Sequence, residues 1–227
     1  VSLVGYTNAG KSTLMNKLTE AGVFVEDKLF ATLDTKTSLC DLGNGKRVIL
    51  SDTVGFIRKL PHHLISSFEA TLEEVIWADF LLHVVDVSSP DVIEQVKAAN
   101  NVLKELECDK KPLIMVLNKV DALKDSSIIT FFQSKYDKVV SVSALTGNGL
   151  EKLKQEMVSF ANRGVTEIKL ECNAGNGKLL AYIYEHSQVL DRTFINSGVN
   201  FHILINEKNL SKLYQLGGRH FKVTQLS

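Results

Sequence analysis

The sequence has 227 residues, of which 44% are hydrophobic and 23% are charged, a composition typical of a globular protein rather than a disordered or fibrous one. Its 26 lysine and arginine residues balance 26 aspartate and glutamate residues, so the formal net charge of +0 indicates no overall attraction to nucleic acid or to membranes. The length fits one large domain, or one medium and one small domain.

Three widely separated cysteines, Cys40, Cys108 and Cys172, argue against a disulfide framework or a zinc site, because their number is odd and no C-x-x-C spacing occurs. A reducing, cytoplasmic compartment is therefore favoured. No apolar run approaches the ~20 residues needed to cross a bilayer, so no membrane span is predicted. The sequence begins directly in a predicted strand, and we expect that an N-terminal portion is missing.

Strands and helices alternate over the first 161 residues. Apolar runs predict strands at 1–4, 37–42, 47–51, 80–85, 113–117 and 139–142, and helical spacing predicts helices at 13–21, 64–78, 90–106, 127–134 and 149–161. Gly43-Asn44-Gly45 is typical of a hairpin turn, and Pro90 of the first turn of a helix. This order predicts a mostly parallel sheet with helices on both faces, whose ligands bind at the carboxyl ends of the strands.

The first predicted strand leads into Gly5-Tyr6-Thr7-Asn8-Ala9-Gly10-Lys11-Ser12, which fits the phosphate-binding pattern G-x-x-x-x-G-K-[ST]. Glycines let successive backbone N–H groups point at a phosphate, and the N-terminus of the following helix adds roughly half a positive charge. We expect Lys11 to contact the β- and γ-phosphates and the Ser12 hydroxyl to bind Mg²⁺.

Two further segments are predicted to contact the triphosphate. Asp52-Thr53-Val54-Gly55 follows the third strand, where Asp52 would hold the Mg²⁺ shell through water and Gly55 would offer its N–H to the γ-phosphate. In the polar stretch Phe30-Ala31-Thr32-Leu33-Asp34-Thr35, Thr32 would complete the Mg²⁺ sphere, with Thr35 as the alternative. The predicted catalytic residues are Lys11, Thr32 and Gly55, and the predicted metal ligands are Ser12, Thr32 and Asp52.

The nucleotide base is predicted from Asn118-Lys119-Val120-Asp121 and Ser143-Ala144-Leu145. The carboxylate of Asp121 would accept hydrogen bonds from N1–H and the exocyclic amine of guanine, whereas adenine has an acceptor at N1 and lacks that amine. A backbone N–H of the second segment would bind the guanine oxygen. The predicted ligand is therefore GTP or GDP, bound with Mg²⁺.

Two residues bear on the rate of hydrolysis. Phe56 follows Gly55 at a position where many switch GTPases have a glutamine that orients water, so intrinsic hydrolysis is predicted to be slow. Asn8 could hold a monovalent cation beside the phosphates, and K⁺ assistance is therefore a hypothesis.

The pattern changes after Arg163-Gly164, which predicts a GTP-binding domain at 1–163 and a C-terminal α+β domain at 164–227. Strands are predicted at 166–172, 189–195, 199–205 and 220–225, and helices at 178–186 and from an N-cap at Asn206 to 216. The order β-α-β-β-α-β is the ferredoxin-like arrangement. The predicted fold class is thus an α/β P-loop NTPase domain followed by a small α+β ferredoxin-like domain.

Three stretches together resemble the HflX GTPases of the TRAFAC class. They are the P-loop extended to Thr13, Phe30-Ala31-Thr32-Leu33-Asp34, and the run from Asp52-Thr53-Val54-Gly55-Phe56 through Pro61-His62-His63-Leu64 to Ala70-Thr71-Leu72-Glu73-Glu74. One departure is Thr35, where the family usually has proline.

The resemblance implies a cytoplasmic GTPase associated with the large ribosomal subunit. It also implies an N-terminal domain that contributes to ribosome contact and is absent from this sequence. Two alternatives stay open. One is a GTP-binding module with negligible hydrolysis. The other is a GTPase partnered with a tRNA-modifying enzyme, because GTPases of that branch also have an asparagine at the position of Asn8. A monomer is expected. His83, inside an apolar strand, is expected to be a hydrogen-bonded core residue.

Overall fold

The computed structural model describes residues 1–19, 35–43, 45–55, 72–195, 198–217 and 221–226. The chain forms two compact units, Val1–Ala161 and Asn162–Ser227, and each is described by itself. No helix in these ranges is long and apolar enough to cross a membrane.

The first unit alternates strands and helices. Its described strands are β1 (Ser2–Val4), β2 (Lys36–Gly43), β3 (Lys46–Asp52), β4 (Leu81–Asp86), β5 (Leu113–Asn118) and β6 (Val139–Ser141). Its described helices are α1 (Lys11–Thr19), α2 (residues 72–77), α3 (Val92–Glu105), α4 (Ser127–Lys135) and α5 (Leu150–Ala161), with a 3-10 turn at Val120–Ala122.

These strands form one six-stranded sheet in the order β2-β3-β1-β4-β5-β6. Among the described strands of this sheet, β2 pairs antiparallel with β3, and every other pair is parallel. The strand β4 is buried on both faces: Leu82 and Val84 pack on the side of α1 and α5, and Val85 packs on the side of α3 and α4. This two-sided burial explains the continuous apolar run in its sequence.

The second unit contains β7 (Val165–Asn173), α6 (Gly177–His186), β8 (Ser187–Ile195), β9 (Gly198–Asn206), α7 (Glu207–Gly217) and β10 (Lys222–Leu226). The four strands form an antiparallel sheet in the order β10-β7-β9-β8. Alternate residues of β7, such as Ile168 and Leu170, are buried in a core with Leu179, Ile183 and Leu213 of the two helices. This is the ferredoxin-like arrangement, and the predicted fold class is confirmed.

Several predicted boundaries differ from the structure. Helix α3 begins at Val92, and Pro90 lies in the turn before it, so the placement of Pro90 inside the first helical turn is wrong. Helix α1 begins at Lys11 rather than residue 13, because Leu14 N–H already donates to Gly10 O, at 2.9 Å, inside the glycine loop. Asn44 of the predicted hairpin turn and most of the predicted helix at 64–78 lie outside the described residues.

His83 is a buried residue of β4 with an unusual environment. Its side chain is 1% exposed, and in the described part of the chain its Nδ1 atom has no hydrogen-bond partner. The expectation of a fully hydrogen-bonded core histidine is therefore wrong for this atom. Burial, together with the positive charge of Lys11, lowers the pKa of His83 from 6.5 to about 4, so the imidazole is neutral at physiological pH.

The low pKa of His83 predicts a loss of stability in acid. Between pH 6.5 and 4 the unfolded chain binds a proton at this residue that the folded chain does not, so the free energy of unfolding falls as the pH decreases through that window. The slope from one such group is at most about 1.4 kcal/mol per pH unit. Urea unfolding between these pH values should give a shallower dependence for His83→Leu than for the wild type, and equal slopes would contradict the assignment.

Candidate nucleotide-binding site

The predicted site residues follow strands that end at the same edge of the first sheet. In the strand register, Leu3 lies opposite Asp52, and Asp86 lies opposite Asn118. Ser143 comes two residues after β6, which pairs with β5 in parallel. The carboxyl ends of β1, β3, β4, β5 and β6 therefore bring the loops of the candidate site together.

Lys11 occupies the centre of the phosphate-binding loop. It is 7% exposed, and its Nζ atom donates to the backbone carbonyls of Gly5 and Tyr6 at 3.3 and 3.2 Å. The loop thus wraps around the ammonium group at the N-terminus of α1, where backbone N–H groups have no helical partners. Burial lowers the pKa of Lys11 to about 8, and the nearby Asp52 carboxylate opposes that shift. An anion bound at this loop would restore the preference for the charged form.

Ser12 and Asp52 are in direct contact. The Ser12 hydroxyl donates to Asp52 Oδ2 at 2.5 Å, and Asp52 is completely buried. A hydroxyl and a carboxylate are oxygen ligands of the kind Mg²⁺ prefers, so these two residues fit a magnesium site. Within the described ranges no group of three or more His, Cys, Asp or Glu could hold a metal ion by itself, so phosphate or water oxygens would have to complete the shell.

Gly55 lies against the phosphate-binding loop at very short range. A Cβ atom at this position would be 2.7 Å from Thr7 Cα and 2.8 Å from Lys11 Nζ, so there is no space for any side chain. Thr7 is 8% exposed, and its hydroxyl has no hydrogen-bond partner among the described residues. The backbone of Gly55 therefore lies beside the ammonium group of Lys11, which is predicted to contact the γ-phosphate.

Asn118 connects the phosphate end of the site with the base end. It is 1% exposed, its Nδ2 donates to Ala9 O at 2.8 Å, and its Oδ1 accepts from Ala144 N at 3.0 Å. Gly10 makes this contact possible, because it has a φ of +90° and a Cβ there would be 2.4 Å from Asn118 Nδ2. One buried amide thus holds two loops that are far apart in the sequence.

The turn after β5 presents Asp121 to solvent. Lys119 adopts a left-handed backbone conformation, with φ 66° and ψ 33°, and the 3-10 turn that follows leaves the Asp121 side chain exposed. Asp121 makes no side-chain hydrogen bond to the rest of the described chain. Its carboxylate is thus available to an external donor.

The loop at 143–145 is held by its own hydrogen bonds. Ser143 is fully buried, its Oγ accepts from Thr146 N at 3.1 Å, and its carbonyl accepts from Gly147 N at 2.8 Å. Ala144 N–H is already donated to Asn118, whereas Leu145 is 73% exposed. The N–H of Leu145 is therefore the group of this loop that is left for a ligand oxygen.

The structure brings the predicted phosphate-end and base-end residues to one edge of the sheet, with some exceptions. The Thr53 hydroxyl donates to Leu3 O at 2.6 Å, and Val54 packs into the core, so both side chains make contacts within the protein rather than facing the site. Ala9 is also buried in the core, and Thr13 is half-buried in α1. Phe30, Ala31, Thr32, Leu33, Asp34 and Phe56 lie outside the described residues, and the role of Thr32 stays a prediction.

Sequence reasoning missed one residue that adjoins the site, Asp86. Its carboxylate is 2.7 Å from Lys119 Nζ. The available signal was an acidic residue directly after a buried strand, at the sheet edge where ligands bind.

Comparisons with known families agree with this geometry. A family model described as "50S ribosome-binding GTPase" matches residues 1–119. A second model, described as "HflX C-terminal domain", matches residues 130–223.

The similar proteins include GTPases and a GTP-binding protein. GTPase HflX of Magnetococcus marinus is 45% identical over 96% of this chain and 50% of its own length, and GTPase HflX of Escherichia coli is 41% identical over 82% and 44%. A variant of Aquifex aeolicus Era bound to GDP·AlF4⁻ has a TM-score of 0.59 at 26% identity, covering 70% of this chain and 55% of that one. A Sulfolobus solfataricus GTP-binding protein in complex with GDP has a TM-score of 0.58 at 29% identity, covering 71% and 52%.

The fold, the loop around Lys11 and these matches define a P-loop GTPase domain followed by a second, ferredoxin-like unit. Within that class, the chain belongs to the HflX family. It spans about half the length of the curated relatives it matches.

The contact between Gly10 and Asn118 predicts that Gly10→Ala damages the site. The added methyl group would displace the Asn118 amide, so we expect a loss of about 2–3 kcal/mol in the free energy of unfolding and at least tenfold weaker GDP binding. Urea unfolding and titration with a fluorescent GDP derivative would measure both changes.

Gly45→Ala is the matched control, because Gly45 also has a positive φ, of +73°, but a Cβ there meets nothing within 4 Å. It should lose only about 1 kcal/mol from backbone strain and should bind GDP normally. Equal effects of the two substitutions on GDP binding would contradict the proposed contact.

Proposed function

We propose that this chain binds GTP with Mg²⁺ and hydrolyses it to GDP and phosphate, acting as a molecular switch. The position of Asn118 carries the proposal, because its amide bonds to the loop around Lys11 and to the loop at Ala144. A phosphate-binding loop and a guanine-binding carboxylate on one rigid edge are what a guanine nucleotide requires.

At the phosphate end, we assign the β- and γ-phosphates to Lys11 and the N-terminus of α1. The buried contact of Ser12 with Asp52 supports a Mg²⁺ site there, and the ion would neutralise charge on the phosphate oxygens. The N–H of Gly55 would bind the γ-phosphate of GTP and lose that partner in GDP. Thr32 is the residue we propose as the further metal ligand.

At the base end, we assign recognition of guanine to Asp121 and Leu145. The exposed carboxylate of Asp121 would accept from N1–H and the exocyclic amine, and the Leu145 N–H would donate to the guanine oxygen. Adenine would leave the carboxylate without donors, which disfavours ATP.

Asp121→Asn should change the base preference. An amide cannot accept both guanine hydrogen bonds, so GTP and GDP affinity should fall about 10- to 100-fold. Xanthine carries an oxygen at the position of the amine, and its nucleotides should bind the variant better than the wild type. Unchanged GTP affinity would refute the base assignment.

We propose that hydrolysis is slow in isolation, because Phe56 cannot orient the attacking water as a glutamine would. Asn8 is an exposed residue of the phosphate-binding loop with a left-handed φ of 64°, and its amide oxygen could hold K⁺ beside the phosphates. A cation there would stabilise the charge that develops during phosphoryl transfer.

Hydrolysis in KCl and in NaCl, at equal ionic strength, tests the role of Asn8. Wild-type protein should turn over GTP several-fold faster in KCl, and Asn8→Ala should abolish the difference while it retains GDP binding. Equal wild-type rates in the two salts would rule out K⁺ assistance.

We further propose association with the large ribosomal subunit, and hence action in the cytoplasm. Support comes from membership of the HflX family and from the description of the family model that matches residues 1–119. Because the chain spans about half the length of its relatives, ribosome association by this chain needs its own test.

Co-sedimentation with purified large subunits would provide that test. We expect the full-length protein to pellet with subunits when a non-hydrolysable GTP analogue is bound and to remain in solution with GDP. If GTP turnover stays negligible in the presence of large subunits, the alternative of a GTP-binding module without significant hydrolysis would be favoured. Binding to a tRNA-modifying enzyme in place of subunits would favour the other alternative.

A further inference from the structure

Lys119 and Asp86 form an ion pair at the rim of the base end. The distance from Lys119 Nζ to Asp86 Oδ2 is 2.7 Å, and the Asp86 side chain is only 16% exposed, against 38% for Lys119. Asp86 ends β4 directly opposite Asn118, which ends β5. The lysine side chain therefore runs from the end of one strand to the end of its neighbour.

The Asp86 carboxylate is itself fixed in orientation. Its Oδ1 atom accepts from Ser88 N at 2.9 Å and from Ser88 Oγ at 2.5 Å. These two bonds leave Oδ2 facing Lys119. Asp86 thus presents one oriented charge rather than a rotating side chain.

The backbone of Lys119 is held in a conformation that non-glycine residues rarely adopt. Its left-handed φ of 66° is followed at once by the turn that carries Asp121, and Ala122 N donates to Lys119 O at 3.0 Å. Such conformations persist where surrounding contacts over-determine them. From this position the Lys119 side chain forms its ion pair with Asp86.

We propose that Asp86 is a positioning residue for the guanine base, acting through Lys119. By holding the ammonium group at the end of β4, Asp86 would stretch the lysine methylene chain across the base end as a flat apolar surface for one face of the purine. It would also keep the turn that aims Asp121 at the purine edge. The inference rests on the proposed function, because it assumes that guanine occupies this end of the site.

This role predicts a particular pattern of defects. Loss of the Asp86 charge should weaken GDP and GTP by the same factor, since both share the base, and should leave the turnover number at saturating GTP unchanged. A general loosening of the site would instead change turnover and the two affinities unequally. The split between affinity and turnover therefore separates positioning from a structural role.

Asp86→Asn removes the ion pair alone, because the amide oxygen can still accept from both groups of Ser88. We expect GDP and GTP to bind about two- to fivefold more weakly, the range of a partly exposed ion pair. In a Lys119→Met background the same substitution should have no further effect, because its partner is gone. Unchanged affinity of Asp86→Asn, or an undiminished effect in the Lys119→Met background, would overturn the proposal.

Asp125→Asn is the matched control. Asp125 Oδ1 accepts from Ser127 N at 3.0 Å and its Oδ2 accepts from Ser127 Oγ at 2.6 Å. It thus bonds to the serine two residues on, as Asp86 does, although through both carboxylate oxygens, and it has no lysine partner among the described residues. The Asp125→Asn variant should bind GDP as the wild type does.

Should Asp86→Asn fail to fold, a comparison of Lys119→Arg with Lys119→Met serves instead. The arginine variant should keep near wild-type affinity for GDP and the methionine variant should lose it, and equal binding by the two would overturn the proposal. A wild type that binds no guanine nucleotide would refute the proposed function itself.

Discussion

The two hydrogen bonds of the Asn118 side chain are the interaction on which the rest of the site depends. They join Ala9 to Ala144 through one buried amide, across a separation of 109 residues between Asn118 and Ala9 in the chain. Both hydrogen bonds are buried, so the loss of either one would leave a buried polar atom without a partner. The distance between the phosphate loop and the base loop is therefore set by the fold before any nucleotide arrives.

The phosphate end contains two buried charged side chains, and a bound ligand would supply the opposite charges that stabilise them. Lys11 is held inside the loop by two carbonyls, and its pKa is lowered to about 8 by burial. Asp52 is fully buried and bonded to Ser12. An anion beside Lys11 and a cation beside Asp52 would both reduce the penalty of burying these groups, which is the electrostatic pattern of a magnesium–phosphate site.

Local sequence patterns predicted most of the fold but fewer of the contacts. The glycine loop and the two-sided apolar run of β4 have short-range signatures, and they predicted the sheet and its ligand edge. The pairing of Asp86 with Lys119 could not be predicted, because it depends on the register that sets Asp86 opposite Asn118. The partnerless Nδ1 of His83 was also missed, because periodicity indicates burial of a side chain and not which of its atoms find partners.

A crystal structure of the chain with GDP and Mg²⁺ would test the central claim most directly. We expect the diphosphate in the loop around Lys11, the ion on the Ser12 hydroxyl, and the N1–H edge of guanine at the Asp121 carboxylate. A diphosphate bound elsewhere, or a purine ring distant from Asp121, would contradict it.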